Sequence, residues 1–377
     1  MTHKNLLFII DGYYQGGSNR SLENLLSFIK DNYHIHIYSL RKTKNTSYKS
    51  IYGQYNIIQS SLIFSLIYNF NLIKRFRSII LWWFHIDVFH FLWSKEMKYI
   101  YKRINVDIAI GFQEGDTHYF ASYFYNKIYW IHCDFAYPHS FHKYYDFFYK
   151  KNTIVKIICV SEYTAASFNS YIHNGNNADY LLNTINIDNI IEQSNKNITD
   201  IDDTNFSIIS IGRFVALKQF HLIPRIVNAI NLMNPQTDFK WYIIASGSED
   251  MKLTINEINK YNLEKQIIIL GERNNPYPYY KNADLTVCLS RSESFSYILF
   301  ESMILGTPVI SNNFPVAQQL IDNKYGIVCH IDLIAYEIFN LLNNKKKYLK
   351  LKNNLKYFTY PNKEILLKFE KIISGIL

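Results

Sequence analysis

From Asp284 to Ser311 the chain runs through a strand, a loop, a helix and a second strand with almost no slack, and few folds accept that order. The apolar run Asp284-Leu-Thr-Val-Cys-Leu-Ser290 reads as a buried strand, Arg291 to Ser296 as a polar loop, and Tyr297 to Leu305 as a short helix ended by Gly306. Pro308 to Ser311 is the next strand. The same rhythm of short apolar runs and longer amphipathic ones recurs along the chain, which predicts an α/β protein.

Two carboxylates occupy this segment, Glu293 in the loop and Glu301 inside the helix. A helix opening near Ser296 aims its unpaired N–H groups and the positive end of its dipole at the loop, an arrangement that suits a diphosphate. One carboxylate can then grip sugar hydroxyls and the other ribose hydroxyls. Two glutamates at this spacing alone would ordinarily be two solvated side chains; the strand before them and the Gly-Thr-Pro stop after them give the pair a setting. The segment resembles the E-x7-E signature of family 4 glycosyltransferases, retaining enzymes of the GT-B fold. That family usually has Gly where this chain has Ser294 and Ser296, residues that let a backbone approach a phosphate less freely. The resemblance implies donor contacts from Ser294, Phe295, Ser296, Tyr297 and Glu301, with Glu293 in a catalytic role.

A second element strengthens the resemblance. Ser207-Ile-Ile-Ser-Ile-Gly-Arg-Phe-Val-Ala-Leu-Lys218 ends a buried strand at Gly212 and sets Arg213 and Lys218 five positions apart at the opening of a helix. Arg offers a bidentate fork to phosphate oxygens and Lys a mobile point charge. The string is similar to the family's G-R-x-x-x-x-K element, which implies that the pair stabilises a leaving diphosphate. Tyr129-Trp-Ile-His-Cys-Asp134 puts His132 at the end of a strand, where the family has a His beside the donor sugar. Asp134 is a weaker candidate, for an acceptor hydroxyl. Gly16-Gly17, at the first strand-to-helix turn, lacks the G-x-G-x-x-G fingerprint but matches a Gly-Gly loop of the family and is assigned to the donor. Leu270-Gly-Glu-Arg273 follows a strand, so Glu272 and Arg273 are candidates near the nucleotide. Leu181-Leu-Asn-Thr-Ile-Asn186 is a weak match to the family's hinge string, with Asn183 retained.

The chain has 377 residues, enough for two ordinary domains. The expected division is an acceptor-binding Rossmann-like domain over 1–186 and a nucleotide-sugar domain over 187–355. A helix over 356–377 then packs back toward the first, as in the GT-B fold. Asn186 to Asn205, rich in Asn and Asp, reads as connection and solvated excursion. The four cysteines, Cys133, Cys159, Cys288 and Cys329, lie far apart with no metal-ligand spacing, and His132 with Asp134 makes two ligands without a third, so no metal and no cofactor is expected.

Net charge is +9, and residues 1–185 hold 19 Lys and Arg against 12 Asp and Glu, while the remainder holds 21 against 19. No nucleic-acid reading motif accompanies this excess. Ser60 to Lys102 interleaves Phe64, Phe70, Trp82, Trp83, Phe84, Phe89, Phe91 and Trp93 with Lys74, Arg75, Arg77, Lys95 and Lys98. The stretch reads either as a helix lying on an anionic membrane or as the core of the first domain. No signal-peptide pattern opens the chain, so the expected location is cytoplasmic, peripheral at the inner face of a plasma membrane. The resemblance implies a UDP-sugar donor, and the basic, aromatic first domain points to a lipid-linked saccharide as acceptor, as in bacterial capsule or O-antigen assembly. The alternatives are a nucleotide-sugar epimerase on the same fold and a non-catalytic partner protein with a degenerate site.

Overall fold

The computed structural model describes residues 3–12, 16–41, 55–58, 60–84, 89–136, 156–171, 178–202, 204–321 and 323–376. The chain forms two compact units, one of residues 1–185 with 361–377 and one of residues 186–360. The second unit therefore extends to Tyr360, five residues beyond the boundary expected from sequence.

The first unit is built on a seven-stranded sheet, ordered β3-β2-β1-β4-β5-β6-β7, and every pair in it is parallel. The strands are β1 (Lys4–Ile10), β2 (Tyr33–Ser39), β3 (Asn56–Ile58), β4 (Ile108–Gly111), β5 (Lys127–Ile131), β6 (Lys156–Cys159) and β7 (Asp179–Tyr180). Leu6 to Ile10 have no exposed surface at all, as a central strand covered on both faces requires. The chain starts in the middle, moves outward through β2 and β3, then returns to build β4 to β7 on the other side. The Gly17–Ile29 helix lays Leu22, Leu25, Leu26 and Ile29 inward, a 3.6-residue stripe.

Part of the aromatic stretch is core. Phe64, Tyr68, Trp93 and Phe120 pack on one another with ring centroids 4.9 to 6.4 Å apart. Phe70 and Phe91 instead stay 56% and 67% exposed. The side chains of Lys74, Trp82, Trp83 and Phe84 lie outside the described residues. The unit is closed by the last helix, Asn362–Ile376. Phe369, fully buried, meets Trp130 and Tyr33; Lys368 pairs with Asp179 at 2.9 Å; and Asn362 exchanges hydrogen bonds with the backbone of Ile185.

The second unit repeats the plan with six parallel strands in the order β10-β9-β8-β11-β12-β13. They are β8 (Phe206–Arg213), β9 (Phe239–Ser246), β10 (Ile267–Ile269), β11 (Leu285–Cys288), β12 (Val309–Asn312) and β13 (Gly326–Cys329). Part of the supposed connection is ordered: Ile187–Ser194 is a helix, opened by the Asn186 side chain accepting from the Asn189 N–H. Its inward Ile190 was hidden among the Asn and Asp that favour turns.

Candidate active site

In an open parallel sheet wound outward from its centre, the crevice lies beyond the carboxyl ends of the strands where the winding reverses. In the second unit that point is between β8 and β11. β8 ends at Gly212-Arg213 and leads into a single 3-10 turn, Ala216–Lys218. A side chain at Gly212 would stand 3.2 Å from the Phe220 ring and 3.7 Å from the Lys218 stem, so glycine lets the lysine fold over the strand end. β11 ends at Cys288 and leads into the loop that carries Glu293. The two loops are tied by the Arg291 N–H donating to the Leu217 carbonyl at 2.9 Å.

There the Lys218 ammonium contacts Glu293 Oε1, an ion pair with both side chains mostly shielded from water. The same carboxylate oxygen accepts from the Ser290 hydroxyl at 2.7 Å, and the Ser290 carbonyl accepts from Asn312 at 3.0 Å. Ser290 and Asn312 were not singled out from the sequence; they hold Glu293 in place from β11 and β12. Arg213 is exposed at the rim.

The Tyr297–Ile304 helix follows directly. Its preceding residue, Ser296, sits in the left-handed region at φ 70° and is 6% exposed, and its hydroxyl has no hydrogen-bond partner among the described residues. This is one of the two positions where a serine replaces the expected glycine. Phe295 and Tyr297 are buried with centroids 4.9 Å apart, so their rings serve packing, and Ser294 is half-buried. Glu301 lies one to two turns into the helix, 1% exposed. Gly306, at φ 80°, ends the segment as its sequence predicts.

Two candidates are placed differently. Glu272 is exposed. The Arg273 guanidinium is engaged inside the unit, donating to Asp200 at 2.8 Å, to the Tyr279 hydroxyl at 2.8 Å and to the Leu270 carbonyl at 2.6 Å. Burial pushes the Asp200 carboxyl up, but the hydrogen bonds from Arg273 and Tyr279 outweigh it and hold the group below its ordinary value. Arg273 thus anchors the loop after β10.

In the first unit the winding reverses between β1 and β4. Gly16 is extended and Gly17 opens the helix; a side chain at Gly17 would meet nothing within 4 Å, so packing inside the unit does not require glycine there. Gln113, after β4, ties this turn down. Its oxygen accepts from the Asp11 N–H at 2.7 Å and its amide donates to Ser18 at 3.0 Å and Asn19 at 3.1 Å.

His132 follows β5 with its ring against Phe112, centroids 4.8 Å apart. Its Nε2 is buried and has no hydrogen-bond partner among the described residues. Burial, reinforced by His118 nearby, lowers its pKa to about 3, so the imidazole is neutral under ordinary conditions. The residue that shapes this corner is Glu114, which sequence reading passed over. Its carboxylate accepts the backbone N–H of His132 and, at 2.7 Å, that of Cys133, while burial raises its own pKa. Asp134 points the other way: its oxygens accept from the Ala136 N–H, the Tyr163 hydroxyl and the Ser167 hydroxyl at 2.9 to 3.1 Å, and it is 5% exposed. That makes Asp134 a structural knot rather than a group offered to an acceptor.

A sequence model of the family described as "Glycosyl transferases group 1" matches residues 191–357. The second unit carries this match almost end to end. The match contains Arg213, Lys218, Glu293 and Glu301, and ends before the helix that returns to the first unit. Beyond the matched residues, the whole chain shares the two-sheet GT-B architecture. Anabaena Alr3699/HepE, solved in complex with UDP and glucose, superposes with a TM-score of 0.73 over 99% of this chain and 100% of its own at 15% identity. Among curated proteins, similarity extends to the Campylobacter jejuni N-acetylgalactosamine-N,N'-diacetylbacillosaminyl-diphospho-undecaprenol 4-alpha-N-acetylgalactosaminyltransferase, 28% identical over 158 residues, 41% of this chain and 40% of that protein. The Escherichia coli O-antigen biosynthesis glycosyltransferase WclY is 24% identical over 142 residues, 36% of this chain and 39% of its own. The aligned part is thus about 40% of the length of the curated relatives it matches.

Proposed function

We propose that the protein is a retaining, metal-independent glycosyltransferase that moves a sugar from a UDP-sugar to a lipid-linked saccharide. The observation that carries the reading is the Lys218–Glu293 pair at the strand ends of β8 and β11, inside the matched residues and backed by Ser290 and Asn312. A diphosphate arriving there offers Lys218 a stronger partner than a single carboxylate and frees Glu293 to accept hydrogen bonds from sugar hydroxyls. The bond between the anomeric carbon and the diphosphate oxygen breaks, and the acceptor oxygen bonds to the same face of that carbon. The acceptor proton passes to the departing phosphate oxygen. Arg213 and Lys218 balance the charge that develops on the diphosphate, so the protein acts chiefly by positioning and electrostatics. The neutral His132 suits a hydrogen bond to an uncharged sugar hydroxyl.

Support for UDP comes from the HepE complexes, and support for a lipid-linked acceptor from the diphospho-undecaprenol named for the Campylobacter enzyme. The test is binding and slow hydrolysis across UDP-, GDP- and ADP-sugars in excess EDTA, with nuclear magnetic resonance of the released sugar. One UDP-sugar bound, and sugar released in its original anomeric form, is the expected result. Binding of none overturns the reading, and dependence on added metal overturns its metal-free part. An epimerised donor formed without acceptor points to the epimerase instead.

A further inference from the structure

Three helices of the first unit carry an exposed surface that neither its core nor the candidate site uses. The Leu62–Asn69 helix packs against both Asn71–Phe84 and His90–Ile104. The middle helix is held down by Arg77, whose guanidinium lies 3.3 Å from Asp116 and over the Trp93 and Tyr119 rings. Its opposite face presents Leu72, Phe76 and Ile79 at i, i+4 and i+7, between 55% and 69% exposed. Phe70, before it, and Leu62 and Ile63 on the first helix are 56% to 70% exposed as well.

The His90–Ile104 helix turns Trp93, Glu96, Met97 and Ile100 inward and leaves Phe91, Lys95, Lys98 and Lys102 along its outer face. Between this helix and Leu62–Asn69 runs a groove of about 180 Å³, lined by Ile63, Phe64, Ile67, Leu92 and Trp93, with Ser61 and Glu96 also in its wall and Lys95 at its edge, over the Phe91 ring at 4.3 Å. The charge is one-sided. Residues 62–84 contain no Asp or Glu, and the single acid of the His90–Ile104 helix, Glu96, is buried and accepts from the Tyr38 hydroxyl and the Ser61 N–H. A protein partner would have to supply both acids and an apolar surface in register, whereas an anionic bilayer supplies both without any register.

We propose that these three helices are a docking face for an anionic phospholipid bilayer, with the groove receiving a stretch of lipid hydrocarbon chain. The inference deepens the proposed function, and rests on it only for the lipid-linked acceptor that brings the enzyme to a membrane. No helix among the described residues is long and apolar enough to cross one, so the face lies on the surface.

The test is co-sedimentation with phosphatidylglycerol–phosphatidylcholine vesicles against phosphatidylcholine alone, with UDP binding measured on the same samples. The wild type is expected to bind only the anionic vesicles and to be released by salt. A Lys95→Gln/Lys98→Gln variant should bind roughly 30-fold more weakly, since each surface cation contributes about a factor of five. A Leu72→Glu/Phe76→Glu variant should lose binding, and both should still bind UDP. Wild type that stays in solution, or variants that sediment like it, overturns the docking face, and intact UDP binding then leaves the transferase reading standing. A wild-type dimer in sedimentation velocity that Leu72→Glu/Phe76→Glu dissolves also overturns it, by making a second copy the occupant. Vesicle binding without UDP binding sinks the transferase reading instead.

Discussion

In the second unit the reversal point of the sheet carries a formal positive and a formal negative charge in contact, Lys218 and Glu293, braced by a serine and an asparagine from neighbouring strands. In the first unit the strand beside the reversal region, β5, leads into a neutral imidazole, and a carboxylate next to it, Glu114, is turned onto backbone N–H groups. Both are laid out by the same winding. The contrast shows that the topology supplies a place and the loops supply the chemistry: a charged pair in one unit, a neutral imidazole in the other, which under the proposed function would meet the diphosphate and the sugar hydroxyls respectively.

The sharpest way to break this contrast is to remove the charge. Lys218→Ala leaves Glu293 without its cation and the diphosphate without its clamp, and transfer should fall by about 10² to 10³-fold with the fold retained. Near-normal turnover, with circular dichroism unchanged, would remove the site from the second unit. On the neutral side, His132→Asn should slow transfer by about 10 to 10²-fold, the loss of one hydrogen bond in the transition state. Because burial lowers the His132 pKa to about 3, the pH–rate profile from 5 to 8 should carry no step that this variant abolishes. A step near pH 6.5 that disappears with His132 would mean the imidazole is charged there after all.

The sign for stability follows from the same shift. His118, fully enclosed, with its Nε2 3.1 Å from the Trp130 carbonyl, is also lowered to about 3 by burial. The unfolded chain binds these protons first, so the stability tied to both groups is complete above pH 6.5 and is lost as pH falls toward 3. Burial raises the Glu23 carboxyl to about 7, which works in the opposite direction. The informative quantity is therefore a difference: the acid slope of the wild type should exceed that of His118→Gln by up to about 1.4 kcal/mol per pH unit. Equal slopes would refute the buried neutral state.

Glu114→Gln keeps one acceptor oxygen for the two N–H groups and should lower kcat by about 10-fold while leaving the donor KM nearly unchanged, as expected of a positioning residue. A rise in KM alone would make it a binding residue. The smallest expected effect is Ser296→Gly, which relieves a left-handed serine and should stabilise the second unit by about 1 kcal/mol in chemical denaturation. No gain would mean that the buried hydroxyl has a use that offsets the strain.

How far these residues could be read from sequence depended on how locally they act. The strand, loop and helix around Glu293 lie within one or two residues of their expected bounds, because apolar runs and a glycine stop act over a few positions. The end of the strand at Gly212-Arg213 was legible for the same reason, but Lys218 lies in a 3-10 turn and the helix opens only at Ile223. Ser290 and Asn312, Gln113 and Glu114 were not, since each is a lone polar residue whose partner is brought near only by the sheet; Glu114 and His132 are on different strands' loops. Arg273 and Asp134 looked available for a ligand because Asp200 and Ser167, which occupy them, lie 73 and 33 positions away. The aromatic stretch stayed ambiguous because its members divide between core and surface by helical phase, which for the Asn71–Phe84 helix is fixed by Arg77 finding Asp116.

The last helix has a consequence for the order in which the molecule is made. With Phe369 buried against Trp130 and Tyr33, the first unit draws on both ends of the chain, while the second is one continuous piece. During synthesis the unit that emerges first must wait for a helix made after the whole of the second unit, and its β5 and β2 surface stays uncovered through that interval. The unit begun second is the one able to finish first, once Tyr360 has cleared the ribosome.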